Sequence, residues 1–96
     1  MKTPRATLER YRLIEAIGIW EGGISNARLR DLTGLHTVQV SRLIASYIEA
    51  NPGLLEHEQS AKRYRWKSNA AATVSLDEYL SIMVALQRQG KQAAEF

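Results

Sequence analysis

Apolar side chains recur at helical spacing in four segments of the chain, and this pattern predicts four helices. The first is expected to begin at Thr3 and Pro4, because a capping threonine followed by proline is typical of a helix start. Gly22 and Gly23 are placed to end it, since glycine tolerates the positive φ that often terminates a helix. The first helix is therefore predicted from Pro4 to about Trp20. Its apolar positions are Leu8, Tyr11, Leu13, Ile14, Ile17 and Trp20.

A short second helix and a longer third helix are predicted on either side of a glycine turn. Ser25 can cap a helix over 26–33, because its hydroxyl can accept a hydrogen bond from a free backbone N–H. Gly34 then breaks the pattern, and the third helix is expected over 37–50. Proline within residues 51–53 stops that helix, since it cannot continue the hydrogen-bond ladder. The buried stripe of the third helix is Val40, Leu43, Ile44, Tyr47 and Ile48.

Between Leu54 and Trp66 the alternation changes to period two, which predicts strands instead of helix. Residues 59–61 are small or polar and lie between the two alternating runs. The segment is therefore predicted to be a β-hairpin whose second strand can turn Tyr64 and Trp66 towards the core.

The C-terminal part is predicted to be a linker followed by one amphipathic helix. Residues 68–74 are rich in alanine and carry no periodic pattern. Ser75 followed by Glu78 is a capping-box pattern, so a helix is expected over 75–90. The tail over 91–96 is expected to be frayed.

Three helices followed by a two-stranded hairpin is the element order of a winged helix-turn-helix domain. The helix-turn-helix itself is marked by four residues at the required spacings: Leu29, Gly34, Leu35 and Val40. We therefore predict a mostly α protein of the α+β class. Its winged helix-turn-helix domain, three helices plus a two-stranded β-hairpin wing, covers residues 1–67, and a C-terminal amphipathic helix follows.

The third helix turns a set of polar side chains outward at its N-terminal end. These and their neighbours in the turn are His36, Thr37, Val38, Gln39, Ser41 and Arg42. Such residues suit base edges, because glutamine can pair with adenine, arginine with guanine, and valine can touch a thymine methyl group. No acidic residue occurs between Asp31 and Glu49, where a carboxylate would repel phosphate. The pattern predicts reading of double-stranded DNA and differs from an ordinary solvated face, which more often carries lysine and glutamate.

Positive charge also gathers at the predicted hairpin, on Lys62, Arg63 and Arg65. A wing beside the third helix would set these cations against phosphates or the minor groove. The alternative is an edge strand that uses cations to resist aggregation and pairs them with Glu56 and Glu58 on the opposite strand.

Composition and charge exclude several classes of protein. The 96 residues suffice for one small domain, and the formal charge of +3 suits a polyanionic partner. There is no cysteine, and His36 and His57 stand far apart, so neither a metal site nor a cofactor is expected. No nucleophile, base and orienting group can be assembled, so no enzyme is expected. No apolar run reaches the roughly 20 residues of a membrane helix, and the cytoplasm is the predicted location.

Three stretches are more specific than the general fold: Trp-Glu-Gly at 20–22, the segment 51–56, and Ser-Ala-Lys-Arg-Tyr at 60–64. In these stretches the chain resembles a narrower family, the N-terminal winged helix-turn-helix domain of bacterial WYL-domain transcription regulators, in particular the BrxR/CapW type that represses phage-defence operons. The resemblance covers about residues 8–67 and extends through 75–86.

This resemblance implies a homodimeric repressor that binds an inverted repeat. Within the cytoplasm, such a DNA-binding protein is expected to be nucleoid-associated. The recognition positions would be His36, Thr37, Gln39, Ser41 and Arg42, and the wing positions Lys62, Arg63 and Arg65. The family continues into a WYL domain that these 96 residues do not contain, so the chain is expected to be a fragment or a stand-alone relative. No small-molecule ligand is expected in it.

The apolar face of the last helix is the candidate for joining two chains. Its candidate residues are Leu76, Tyr79, Leu80, Met83 and Leu86. The alternative is that this helix packs back on its own domain beside the first helix, and both can hold.

Two other functions stay open on the residues alone. A winged helix can serve protein association, in which case the third helix should expose an apolar patch. RNA binding is the other, although the hairpin lacks the exposed aromatic side chains that single-stranded RNA recognition tends to use. The polar outward positions and the basic hairpin favour double-stranded DNA.

Overall fold

The computed structural model describes residues 5–67 and 74–94. The helices are α1 (Arg5–Glu21), α2 (Asn26–Thr33), α3 (Thr37–Ala50) and α4 (Leu76–Ala94). The strands are β1 (Gly23–Ile24), β2 (Leu55–Glu58) and β3 (Arg63–Trp66), with a short 3-10 helix at Gln59–Ala61 between the last two. The predicted order of three helices, a β-hairpin wing and a C-terminal helix is confirmed.

Local capping chemistry sets the ends of α2. The Ser25 hydroxyl accepts a hydrogen bond from the Arg28 backbone N–H at 3.1 Å, as predicted for the helix start. Gly34 ends the helix in the left-handed conformation, with φ of 73°, and donates its N–H to the Arg30 carbonyl at 2.8 Å. The bounds of α2 and α3 therefore coincide with the predicted ones.

The wing is part of a three-stranded antiparallel sheet in the order β1-β3-β2. The hairpin register pairs Leu55 with Trp66, and β1 pairs Ile24 with Tyr64 on the other side of β3. The sequence did not predict β1, because two residues are too few to show a period. Gly23 is needed there, since a Cβ at this position would lie 2.5 Å from the Tyr64 carbonyl oxygen.

The core lies where α1, α2, α3 and β1 meet. Its buried residues are Leu13, Ile14, Ile17, Ile24, Leu29, Val40, Ile44 and Tyr47. Tyr64 and Trp66 of the wing are half-buried and pack against this cluster, as their alternation predicts. The Tyr47 hydroxyl donates to Glu15 Oε2 at 3.1 Å. Burial and then the Glu15 charge raise the pKa of Tyr47, so the phenol stays neutral.

α4 packs on α1 through a side-chain ion pair. The Ser75 hydroxyl accepts from the Glu78 N–H at 3.1 Å, which is half of the predicted capping box. The Glu78 carboxylate is held instead by Arg12, with Arg12 Nε 2.9 Å from Oε1 and Nη2 2.6 Å from Oε2. The helix also continues through Gly90 to Ala94, so the predicted end at about residue 90 is too early.

Most of the predicted linker lies outside the described residues, but its last residue is anchored in the domain. Val74 is 1% exposed, and its carbonyl accepts a hydrogen bond from Trp20 Nε1 at 2.9 Å. The residue before the start of α4 is therefore anchored to α1 by Val74. Within residues 5–67 and 74–94, no helix combines the length and apolar character that a membrane span requires.

Candidate nucleic-acid interface

The N-terminal half of α3 presents its polar side chains to solvent. All six residues predicted to read DNA are exposed: His36, Thr37, Val38, Gln39, Ser41 and Arg42. Val40, in the middle of this run, is fully buried and faces the core. The helix therefore separates a buried stripe from an exposed polar ridge within its first two turns.

The α2–α3 turn is built from residues that hold the two helices at a fixed crossing. Leu29 of α2 and Val40 of α3 are both fully buried in one cluster, and Leu35 of the turn packs against it. The Thr33 hydroxyl donates to the Leu29 carbonyl at 2.6 Å and accepts from the Leu35 N–H at 3.2 Å. These contacts fix the orientation of α3 relative to α2.

Gln39 has a structural contact besides its predicted role in base reading. Its Oε1 accepts a hydrogen bond from the His36 backbone N–H at 3.0 Å, which satisfies a donor in the residue that precedes α3. The Gln39 side chain nevertheless remains exposed. Gln39 is thus held in place before any partner binds.

Ser41 is held by a residue that the sequence did not single out. Asn26 Nδ2, in the first turn of α2, donates to Ser41 Oγ at 3.0 Å and to the Thr37 carbonyl at 3.1 Å. No sequence signal marks Asn26, because the contact depends on how α2 and α3 cross. The other amide atom, Asn26 Oδ1, is buried and has no hydrogen-bond partner among the described residues.

The cations of the domain divide into paired and unpaired groups. Arg28 binds Glu21 through two hydrogen bonds, at 3.1 and 2.9 Å. Burial alone would raise the pKa of Glu21, but hydrogen bonds from Arg28 and Tyr79 outweigh it and lower the pKa. Arg42, in contrast, is exposed and forms no ion pair with any carboxylate in the part of the chain that the structure describes.

The three predicted wing cations have three different environments. Lys62 is exposed at the hairpin tip, with φ of 51°, and has no ion pair within the described ranges. Arg65 Nη2 lies 2.9 Å from Glu56 Oε2 across the hairpin, and this contact lowers the pKa of Glu56. The alternative of cross-strand pairing thus holds for Arg65.

Arg63 does not project from the wing as expected. Its guanidinium lies over the space where a Cβ on Gly23 would stand, and its Nε is buried without a partner among the described residues. It lines a cleft with Glu21, Ser25 and Arg28. The reason is that β1 covers the outer edge of β3, which the predicted two-stranded hairpin left open to solvent.

The apolar face of α4 is divided between two surroundings. Tyr79, Met83 and Leu86 pack against the domain core, and the Tyr79 hydroxyl donates to Glu21 Oε2 at 2.7 Å. Leu76 and Leu80 are 47% and 50% exposed. Of the five candidates, Leu76 and Leu80 are therefore the exposed ones, whereas the other three are partly buried against the core.

A comparison with protein-family models finds one that covers most of this architecture. The model described as the BrxR transcriptional regulator winged helix-turn-helix domain matches residues 6–85, from α1 into α4. The exposed polar residues at 36–42, called the recognition ridge below, and the wing both lie inside the matched range. A comparison with curated proteins finds no match.

Proposed function

The chain belongs to the winged helix-turn-helix domain family of BrxR transcriptional regulators, and from this premise we propose that it binds double-stranded DNA at a specific sequence and represses transcription. The observation that supports this proposal most strongly is the exposure of six side chains suited to base edges. They lie at the N-terminal end of α3 and in the residue before it, while Val40 between them is buried. A helix presented in this way fits the major groove, with its N-terminal residues against the bases.

Arg42 and Gln39 are the proposed base readers. The Arg42 guanidinium is exposed and unpaired within the described residues, so no ion pair has to break before it meets guanine O6 and N7. Gln39 is already oriented by its bond from the His36 N–H, which lowers the conformational entropy lost on binding.

Lys62 is the proposed phosphate contact of the wing. It stands at the exposed tip, whereas Arg65 would have to exchange Glu56 for a phosphate and Arg63 would have to leave its cleft. A single exposed lysine neutralises about one phosphate, which adds affinity for any duplex but no sequence preference.

The rival function, protein association through α3, would need an exposed apolar patch on that helix. Val38 is the large apolar side chain that α3 exposes, at 60% of its area, and its neighbours on the ridge are polar. One valine among polar residues does not make such a patch. The same valine fits contact with a thymine methyl group.

We propose that the DNA-bound form is a dimer joined through the exposed face of α4. Asp77, Leu80, Val84 and Arg88 are spaced by three or four residues and are all exposed, so they share one side of the helix. Two copies of α4 packed antiparallel about a two-fold axis would set Leu80 against Val84, and Asp77 against Arg88 of the partner subunit. This contact is self-complementary, as a two-fold interface must be.

Such a dimer would read an inverted repeat and exclude polymerase from the promoter that contains it. The half-sites of helix-turn-helix dimers lie about one helical turn apart, or a multiple of that distance. The resemblance to repressors of phage-defence operons supports genes of that kind as the targets, and the nucleoid as the place of action. A promoter fused to a reporter should be less active when the chain is supplied, and an increase would contradict repression.

The decisive experiment is selection of bound duplexes from a random library. The expected result is one enriched motif, arranged as an inverted repeat. Enrichment of a single half-site would support sequence-specific binding and contradict the dimer. Absence of any enriched motif, with equal binding to all duplexes at low salt, would overturn the proposal of sequence-specific regulation.

A further inference from the structure

A contact between the two helices of the motif determines how one side chain on the recognition ridge can hydrogen-bond. Asn26 Nδ2 donates to both the Thr37 carbonyl, at 3.1 Å, and Ser41 Oγ, at 3.0 Å. A carbonyl oxygen can only accept a hydrogen bond. The amide atom facing Thr37 must therefore be the NH2 group, and the same nitrogen faces Ser41.

The Ser41 hydroxyl is consequently an acceptor towards Asn26. A hydroxyl has one proton and two lone pairs, so acceptance from Asn26 leaves the proton to point elsewhere. A helical serine often donates to the carbonyl four residues back, which here is that of Thr37. That carbonyl accepts from Asn26, and no hydrogen bond from the Ser41 hydroxyl to an acceptor occurs within residues 5–67 and 74–94. The Ser41 side chain is exposed, so its proton is free to bond to a partner on the solvent side of α3.

Asn26 orients Ser41 through its Nδ2 group, while its own amide oxygen is left without a hydrogen bond in the part of the chain that the structure describes. Its Oδ1 is buried and unpartnered among the described residues, which is unfavourable for an amide oxygen. The unpartnered Oδ1 accompanies the two bonds that Nδ2 makes to α3, which join the two helices and orient the amide towards Ser41.

We propose that Asn26 makes Ser41 a dedicated hydrogen-bond donor, and so gives the protein a preference for an acceptor edge at one base pair of its site. This inference rests on the proposed reading of DNA by α3. The acceptor edges in the major groove are guanine O6 and N7, adenine N7 and thymine O4. The amino groups of cytosine and adenine are donors, and Ser41 held in this way discriminates against them. Asn26 is a positioning residue, because it acts through Ser41.

The test compares the full chain with its Ser41→Ala, Asn26→Ala and double variants on the selected site and on every single-base change of it. Ser41→Ala should lower the preference at one base pair by roughly threefold to tenfold, as expected for one hydrogen bond. Asn26→Ala should relax the preference at that same base pair and at no other. The double variant should be no worse than Ser41→Ala, since both changes remove one coupled contact.

Asn26→Asp is a second variant that keeps the side-chain size. Its carboxylate would accept the Ser41 proton, so the preference at that base pair should fall as in Ser41→Ala. The added charge should also weaken binding to all duplexes alike. Glu9→Gln is the control, because Glu9 is exposed on α1 and lies outside the ridge, the wing and the exposed side of α4. It should leave every base preference unchanged.

The outcomes separate this inference from the function on which it rests. No sequence preference in the unchanged chain would overturn the proposed function and this inference with it. A clear preference that Ser41→Ala leaves intact, or that Asn26 variants change at a different base pair, would overturn the inference alone. Additive losses in the double variant would also contradict it.

Discussion

Arg42 illustrates how a single residue becomes available for recognition. Its side chain lies outside the buried stripe of α3. The acidic residues nearest to it in sequence, Asp31 and Glu49, lie outside residues 36–42, which form the exposed ridge. Arg12, Arg28 and Arg65 each bind a glutamate, whereas Arg42 has no such partner within the described residues. An arginine left without a carboxylate keeps all its donors for a planar acceptor such as guanine.

We expect Arg42→Ala to lower the preference for the selected site by about 1–3 kcal/mol, because a bidentate base contact is lost. Lys62→Ala should instead weaken binding to all duplexes and reduce the slope of log affinity against log salt by about 1. Competition binding at several salt concentrations measures both. Arg5→Ala, at a side chain that is 93% exposed at the start of α1, is the control. Equal effects of all three variants would contradict base reading by Arg42.

Gly34 shows a backbone requirement at the scale of one residue. Its φ of 73° is in the left-handed region, and no atom would lie within 4 Å of a Cβ placed there. The cost of a side chain is therefore conformational and not steric contact with neighbours. Gly34→Ala should lower the free energy of unfolding by about 1 kcal/mol, and Gly34→Asn by less, since asparagine tolerates this region better. Urea unfolding of the two variants tests this order, and a more stable alanine variant would contradict it.

At the scale of elements, α4 is tied to α1 by polar contacts as well as by packing. Arg12 binds the Glu78 carboxylate through two of its nitrogens, Nε and Nη2, and the Tyr79 hydroxyl donates to Glu21 at the end of α1. The hydrogen bond from Arg12 lowers the pKa of Glu78, although desolvation opposes it. The last helix is thus held on α1 by a contact that uses the charge of Glu78.

Acid should weaken this attachment. Because the folded pKa of Glu78 is below its ordinary value of 4.5, the stabilising contribution is complete above that value and is lost as the pH falls through the folded pKa. Glu78→Gln should therefore reduce stability at neutral pH and make it less dependent on pH below about 4.5. Unfolding free energies measured between about pH 6 and pH 3 test this. The control is Glu9→Gln, since Glu9 is 71% exposed and its ion pair is with the exposed Arg5. Identical acid profiles for Glu78→Gln and the unchanged chain would contradict the role of Glu78.

At the scale of the whole molecule, the two surfaces proposed to bind DNA and a second copy differ in chemistry. The α3 ridge is polar and lacks carboxylates, whereas the free side of α4 combines Leu80 and Val84 with Asp77 and Arg88. Polar donors suit base edges, and an apolar stripe flanked by opposite charges suits a second copy of itself. The two surfaces use different elements, so the proposed contact with DNA and the proposed contact with a second copy do not compete.

The α4 contact predicts a charge-swap result. Asp77→Arg alone, or Arg88→Asp alone, would place like charges across the two-fold axis and should lower the dimer fraction. The combined change restores opposite charges and should recover it. Sedimentation equilibrium over a range of concentrations measures the fraction.

Leu80→Glu tests the apolar part of the same contact, and it should favour the monomer. Leu8→Glu is its control, because Leu8 is exposed on α1 to a similar degree. A monomeric unchanged chain at all concentrations, or loss of dimer in the control alone, would contradict the α4 contact.

The sequence by itself determined the features that depend on neighbouring residues. Ser25, Gly34 and the proline at position 52 act within one turn of the backbone, so the bounds of α2 and α3 follow from local capping and steric rules. The alternation along β2 and β3 likewise predicted the hairpin. Because Val40 must be buried to join α2 and α3, exposure of the polar residues around it also followed from the helical period.

Only the tertiary structure decided which polar side chains are already engaged. Arg63 lies over Gly23 because β1 pairs with β3, and two residues give no periodic signal. Asn26 holds Ser41 because α2 and α3 cross at one angle, and the two sides of α4 differ because only one meets α1. These contacts join residues far apart in the chain, so they depend on how the helices pack and not on the local pattern of residue types.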